Sequence, residues 1–237
     1  MRILFALLGH FVRLNIFSQR IEQVTVELTV PEWIFKLLPE HTQDGDEIEV
    51  HPVLYTQGVN EMQSMAHMKR SSDVEIQDRI NKKAVNALTE YLELLQDFED
   101  EWNPEEGELD IMKDAVGSFK KSVEGSAMFE KSTDILLTAR RAIFVLHGGR
   151  TTSCKSAKDR TSMSTTLECW DRLRSSFQLK ADDRQRFLDL LRLHGTRLTN
   201  CWKSTGKRFY AFNTMIQRPS LPEEYRPPVS VCGSVES

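Results

Sequence analysis

A cysteine followed six residues later by an arginine sets the chemistry of this chain: Cys154-Lys155-Ser156-Ala157-Lys158-Asp159-Arg160-Thr161. A thiol attacks phosphorus only as the thiolate, and a free cysteine, with pKa about 8.5, is mostly protonated at neutral pH. Nearby positive charge and backbone N–H groups aimed at the sulfur lower that value. A tight loop that runs into a helix N-terminus supplies both, because the first amides of a helix lack intrahelical partners and carry the positive end of its dipole. The amides of Ser156 and Ala157 fall where such a loop cradles a phosphate. Arg160 can curl back and clamp two phosphoryl oxygens with its planar fork. Thr161 follows, where its hydroxyl can donate to the sulfur and stabilise it as a leaving group. The pattern implies a phosphate pocket of a cysteine-dependent phosphatase, with no metal and no cofactor.

A cysteine and arginine at this offset are weak on their own, and the flanks strengthen them. Gly148 and Gly149 precede the polar run Arg150 to Ser153, and Met163, Leu167 and Trp170 recur at helical spacing after it. The expected frame is strand, anion-binding loop, helix starting near Arg160. Lys155 and Lys158 within the loop make a strongly positive pocket, which suits a substrate carrying more than one phosphate. Arg160 then holds the phosphate under attack while the two lysines read a neighbouring one, unless one of them merely faces solvent.

Two further stretches join the loop in a resemblance. The segment Cys-Lys-Ser-Ala-Lys-Asp-Arg-Thr-Ser-Met at 154–163 is similar to the active-site signature of the inositol polyphosphate 4-phosphatases. Val-Leu-Tyr-Thr-Gln-Gly-Val-Asn-Glu-Met-Gln at 53–63 resembles a segment upstream of it in that family, and Arg226-Pro227-Pro228 resembles the family's C-terminal end. The resemblance implies that this is the C-terminal catalytic region of a longer protein carrying a lipid-binding C2 domain. The implied substrates are phosphatidylinositol 3,4-bisphosphate and the matching soluble inositol phosphates, cleaved at the 4-phosphate through a phosphocysteine. The implied setting is cytoplasmic, with peripheral membrane contact. Asp-Arg-Thr at the end of the signature also resembles the myotubularin and Sac-type lipid phosphatases, in which an aspartate inside the loop is a proposed acid. Asp159 is therefore a candidate general acid. Its alternatives are a structural carboxylate bonded to loop amides or to a lysine, or a separate mobile acid such as Asp44 or Asp46.

The remaining sequence bounds the setting. The chain has 237 residues, formal net charge −4 and 40% hydrophobic residues, enough for one substantial core. That charge gives no footprint for nucleic acid, so an anion site has to be a local basic cluster. The four cysteines, at 154, 169, 201 and 232, show no paired spacing, which fits a reducing compartment better than disulfides or zinc. Residues 1–20 are too short an apolar run to span a bilayer and are expected as a buried helix. Residues 23–30 alternate as a strand, Pro31 opens a short helix, and residues 48–55 are a second strand candidate. Helices are expected over 74–98, from Pro104 onward with Asn103 as cap, over 127–147 ending at Gly148, after the loop, and from Asp182 or Asp183 through Leu198.

The expected fold class is α/β, a helix-rich variant of the cysteine-dependent, protein-tyrosine-phosphatase-like fold with a small sheet. Residues 1–218 read as the catalytic domain, with its N-terminal end open to question, and residues 219–237 as a loosely held tail. His147 and His194 read as helix-end or packing residues. Arg140, Arg141 and Arg150 are either a face for anionic membranes or solvated charges. The rival functions are a catalytically incomplete fragment, a pseudophosphatase that binds phosphoinositides without cleaving them, and a protein-tyrosine phosphatase, against which the loop lysines argue.

Overall fold

The structure is a computed structural model and describes residues 13–16, 26–29, 31–37, 50–58, 69, 72–125, 132–154, 156–215 and 217–233. The chain divides into two compact units, Met1–Pro52 and Val53–Ser237. In the first, β1 (Arg13–Ile16) pairs antiparallel with β2 (Val26–Thr29), with Leu14 opposite Leu28, and α1 (Glu32–Phe35) follows Pro31. The alternation over 23–30 thus marks a strand. The helix expected across residues 1–20 is corrected at 13–16, which are extended and paired.

The second unit carries the loop, and it overturns the expected α/β class. Among its described residues there is no strand, only an isolated bridge between Tyr210 and Cys232. Residues 53–55, the part of the strand expected over 48–55 that falls in this unit, lie in no strand. Val53 and Tyr55 pack on a helical core while Leu54 is exposed, so the alternation reports one buried face without a partner strand. A side chain replaces the ladder. Asn81, buried on α2 (Ser72–Asp97), accepts from the Thr56 N–H at 2.8 Å and donates to the Thr56 carbonyl at 2.9 Å.

The helices of this unit are α2, α3 (Glu99–Trp102), α4 (Glu108–Glu124), α5 (Asp134–Val145), α6 (Arg160–Phe177), α7 (Arg184–His194), α8 (Thr196–Thr205) and α9 (Gln217–Ser220). Asn103 adopts a left-handed conformation that ends α3, and Gly107, also left-handed, precedes α4, so Pro104 lies outside the helix it was expected to open. The helix before the loop starts at Asp134, and His147 rather than Gly148 takes the left-handed position that ends it. Gly195 breaks the helix expected to run through Leu198 into α7 and α8.

Two cores result. Leu88, Met112, Phe119, Ile135 and Ala139 join α2, α4 and α5, while Met163, Leu167, Trp170, Leu188 and Tyr210 join α6, α7 and the C-terminal segment. α5 serves both, with Ile135 and Ala139 in the first and Leu136 and Leu137 against the second. The stretch expected to hang loosely from Pro219 is corrected: Leu221, Tyr225 and Val231 are buried in the second core. Arg192, fully buried on α7, ties this stretch down. It donates to the carbonyls of Glu224 at 2.6 Å and Arg226 at 3.0 Å, and to the Thr166 hydroxyl of α6 at 3.0 Å. Burial lowers its pKa to about 10, and these acceptors keep the guanidinium supplied with partners.

Candidate active site

The loop leaves α5 through Gly148, crosses residues that form neither helix nor strand, and enters α6 at Arg160. In place of the sheet edge expected to hold its first limb, a buried arginine does so. Arg150 donates to the Tyr55 hydroxyl at 3.1 Å, to Ser164 Oγ at 3.0 Å and to Glu168 Oε2 at 3.1 Å. Burial pushes the Tyr55 phenol up, with Arg150 acting against that shift. Tyr55, from the upstream stretch of the resemblance, is thus brought to the base of the loop; residues 59–63 of that stretch, and the rival acids Asp44 and Asp46, lie outside the described residues. Arg140 pairs with Asp171 at 2.7 Å in the same buried network, and Arg141 pairs with Asp114 at the surface. Of the basic face considered, Arg140 and Arg150 are therefore spent on buried ion pairs and Arg141 on an exposed one. The cleft lined by Arg140, Phe144, Arg150, Glu168 and Asp171 belongs to this network and includes no loop residue from 154–161.

Cys154 is half-buried. The Thr161 hydroxyl donates to its sulfur at 3.1 Å. Burial by itself raises the thiol pKa, but the Thr161 hydroxyl, the amides of Thr161 and Ser156, and the charge of Arg160 outweigh it and leave the group below its ordinary value. The Arg160 guanidinium is half-buried and forms no salt bridge with a carboxylate among the described residues. No side chain caps α6, so its first amides face the loop without a competing oxygen. Ala157, at φ 50, turns the loop through left-handed space, and its N–H donates to the Cys154 carbonyl at 3.4 Å. An alanine there costs about 1–2 kcal/mol, so other contacts have to hold the turn.

Those contacts come from residues whose sequence gave no sign of a role. Arg197 on α8 donates from Nη2 to the Ala157 carbonyl at 2.6 Å and from Nε to Ser162 Oγ at 3.1 Å. Ser162, fully buried, donates in turn to the Lys158 carbonyl. Asp159 is buried and accepts from the Ala211 N–H at 2.8 Å through Oδ1, while its Oδ2 lies 3.7 Å from Lys158 Nζ. Lys158 is itself buried, with its ammonium turned to Asp159. Lys155 lies outside the described residues. His147 and His194 stand at helix ends, His147 bonded to Glu108 at 2.8 Å.

The arrangement brings together Cys154, Thr161, Arg160 and the amide end of α6, and holds Lys158 and Asp159 as a pair beneath the loop. It can present an activated sulfur to a phosphoryl group and receive the charge on that group's oxygens.

The chain matches the family described as INPP4A C-terminal domain over residues 12–225. It is 34% identical over 225 residues to the type II inositol 3,4-bisphosphate 4-phosphatase of Rattus norvegicus, and equally to the inositol polyphosphate 4-phosphatase type II of Homo sapiens. Each match covers 94% of this chain and 24% of the relative, so the chain spans about a quarter of the length of the curated relatives it matches.

Proposed function

The chain belongs to the inositol polyphosphate 4-phosphatase family, and from that premise we propose that it removes the 4-phosphate of phosphatidylinositol 3,4-bisphosphate and related inositol phosphates. The observation that carries this reading is the Thr161 hydroxyl 3.1 Å from the Cys154 sulfur, in a loop whose amides at Ser156 and Thr161 and whose Arg160 charge favour the thiolate. In the first step the Cys154 thiolate attacks the 4-phosphorus in line. The S–P bond forms, the P–O bond to the ring breaks, and the ring oxygen leaves with a proton. Loop amides at the start of α6 and the Arg160 fork take up the charge on the three equatorial oxygens, while the Ala157 amide stays with the Cys154 carbonyl. In the second step water attacks the phosphocysteine, and the Thr161 hydroxyl stabilises the departing thiolate. We place the protein in the cytoplasm, peripherally at membranes, as a corollary of a lipid substrate.

Two roles compete for Asp159. As the acid it protonates the leaving ring oxygen. As a brace it couples Lys158 and the Ala211 amide to the loop, and the contacts at 2.8 and 3.7 Å support the brace. Asp159→Asn separates them: a loss confined to substrates with poor leaving groups identifies an acid, and an equal loss on an aryl phosphate that needs no proton identifies a brace. For the loop lysines, Lys155→Met is expected to weaken bisphosphorylated substrates more than an aryl phosphate. Lys158→Met, given its pairing with Asp159, is expected to weaken both.

The whole reading is tested by phosphate release from inositol 3,4-bisphosphate, with Cys154→Ser as control. Release by the 237-residue chain that disappears in the variant supports it. Binding without release would favour the phosphoinositide-binding alternative.

A further inference from the structure

The chain is acidic as a whole, at −4, yet residues 190–222 contain no Asp or Glu and six cations: Arg192, Arg197, Lys203, Lys207, Arg208 and Arg218. Arg192 and Arg197 are engaged inside the fold, as described. Lys203, Lys207 and Arg208 are exposed, and they stand among exposed apolar side chains: Trp202 at 46%, Phe209 at 42% and Met215 at 83%. The geometry joins Trp202 and Arg208, and the rest follow them closely in the chain. Gly206, at φ 71, closes α8 in left-handed space and turns the chain back, and the Arg208 guanidinium lies 5.4 Å over the Trp202 ring.

The same short segment is fastened to the loop at both ends. Five residues before Trp202 on α8, Arg197 grips the Ala157 carbonyl; two residues after Phe209, the Ala211 amide grips Asp159. Helical rise and extended chain put each of those anchors roughly 7 Å along the backbone from the patch. Among the described residues no helix is long and apolar enough to cross a membrane. Aromatic rings flanked by Lys and Arg, in a stretch of sequence that carries no acid, match the interfacial layer of an anionic bilayer: the rings settle at headgroup depth and the cations meet the lipid phosphates.

We propose that Trp202, Lys203, Lys207, Arg208, Phe209 and Met215 form a docking surface for an anionic membrane, and that docking there holds the Cys154 loop at the lipid headgroups. The inference rests on the phosphoinositide reading above and adds to it the surface that meets the bilayer.

The test uses the full chain with vesicles of phosphatidylcholine, with and without phosphatidylserine. Wild type should cosediment with the anionic vesicles and not with the neutral ones. Each cation near such a surface is worth roughly five-fold in affinity, so Lys207→Ser with Arg208→Ser should weaken binding roughly 25-fold. Trp202→Ala with Phe209→Ala should weaken it roughly ten-fold. Both variants should keep wild-type thermal unfolding and wild-type turnover of soluble inositol 3,4-bisphosphate, while losing turnover of the lipid in vesicles. Wild-type binding that is absent, indifferent to lipid charge, or unchanged in both variants overturns the proposal. If soluble turnover is absent in wild type, the proposed function fails, while the sedimentation result still decides the docking surface.

Discussion

Arg197→Met removes the guanidinium that grips the loop from α8 while keeping most of its apolar stem. Two bonds are lost, to the Ala157 carbonyl at 2.6 Å and to Ser162 Oγ at 3.1 Å. A hydrogen bond from a charged group contributes about 1.5–3 kcal/mol. The outer of these two is exposed, so we take the low end for the inner bond, discount the outer one below it for solvent screening, and expect about 2–3 kcal/mol in all. Ala157 sits in left-handed space at φ 50, and nothing else described grips its carbonyl. The loss should therefore fall mainly on the geometry of the loop, not on the global fold. Placed on the transition state, it is a fall of roughly 30- to 150-fold in kcat/KM. The amide of Ser156 and the charge of Arg160 would also be less well aimed at the sulfur, so the Cys154 pKa should rise toward its ordinary value. Steady-state kinetics on inositol 3,4-bisphosphate and the pH dependence of Cys154 alkylation by iodoacetamide measure the two effects. Arg197→Lys should recover part of both. Unchanged kcat/KM with an unchanged alkylation profile would refute the reasoning, as would a loss fully accounted for by unfolding.

Thr161→Val deletes the 3.1 Å bond to the sulfur; turnover should fall roughly ten- to a hundred-fold, with phosphocysteine accumulating in rapid-quench samples if the second step suffers most. Arg192→Leu leaves the carbonyls of Glu224 and Arg226 without their donor inside a packed core, and differential scanning calorimetry should register a loss of about 3 kcal/mol or more, with the C-terminal segment becoming open to protease. The lowered pKa of Cys154 fixes the sign of a pH effect. Its thiolate persists below the ordinary thiol range of about 8.5, so alkylation should have its inflection below that value. The stability linked to the thiolate is present above the unfolded pKa and is lost as pH falls through the folded one. An inflection at or above about 8.5 contradicts the environment described.

The phosphate loop was readable because its chemistry is contiguous: sulfur, amides, guanidinium and hydroxyl lie within eight positions, and the helical spacing of Met163, Leu167 and Trp170 announces α6. What supports the loop was not readable, because it acts across long separations. Arg197 reaches back 40 residues, the Ala211 amide 52, and Arg150 meets Tyr55 over 95. No local pattern distinguishes such arginines from solvated ones, which is why Arg140 and Arg150 read as a surface. The sheet expected to flank the loop failed for a related reason. In the strand expected over 48–55, burial alternates at 53–55, and a helical core with the Asn81 amide meets that need as well as a neighbouring strand would. Proline and serine after Pro219 read as loose tail, but within that stretch the carbonyls of Glu224 and Arg226 accept from Arg192, and Tyr225 and Val231 fill the second core.

The central claim is that the sulfur of Cys154 becomes covalently phosphorylated during turnover. Acid quench of the protein mixed with inositol 3,4-bisphosphate, followed by peptide mass spectrometry, tests it most directly. The account predicts phosphate on the peptide containing Cys154, building up within one turnover and absent from Cys154→Ser. Turnover that proceeds with the label on another residue, or that survives in Cys154→Ser, would contradict it.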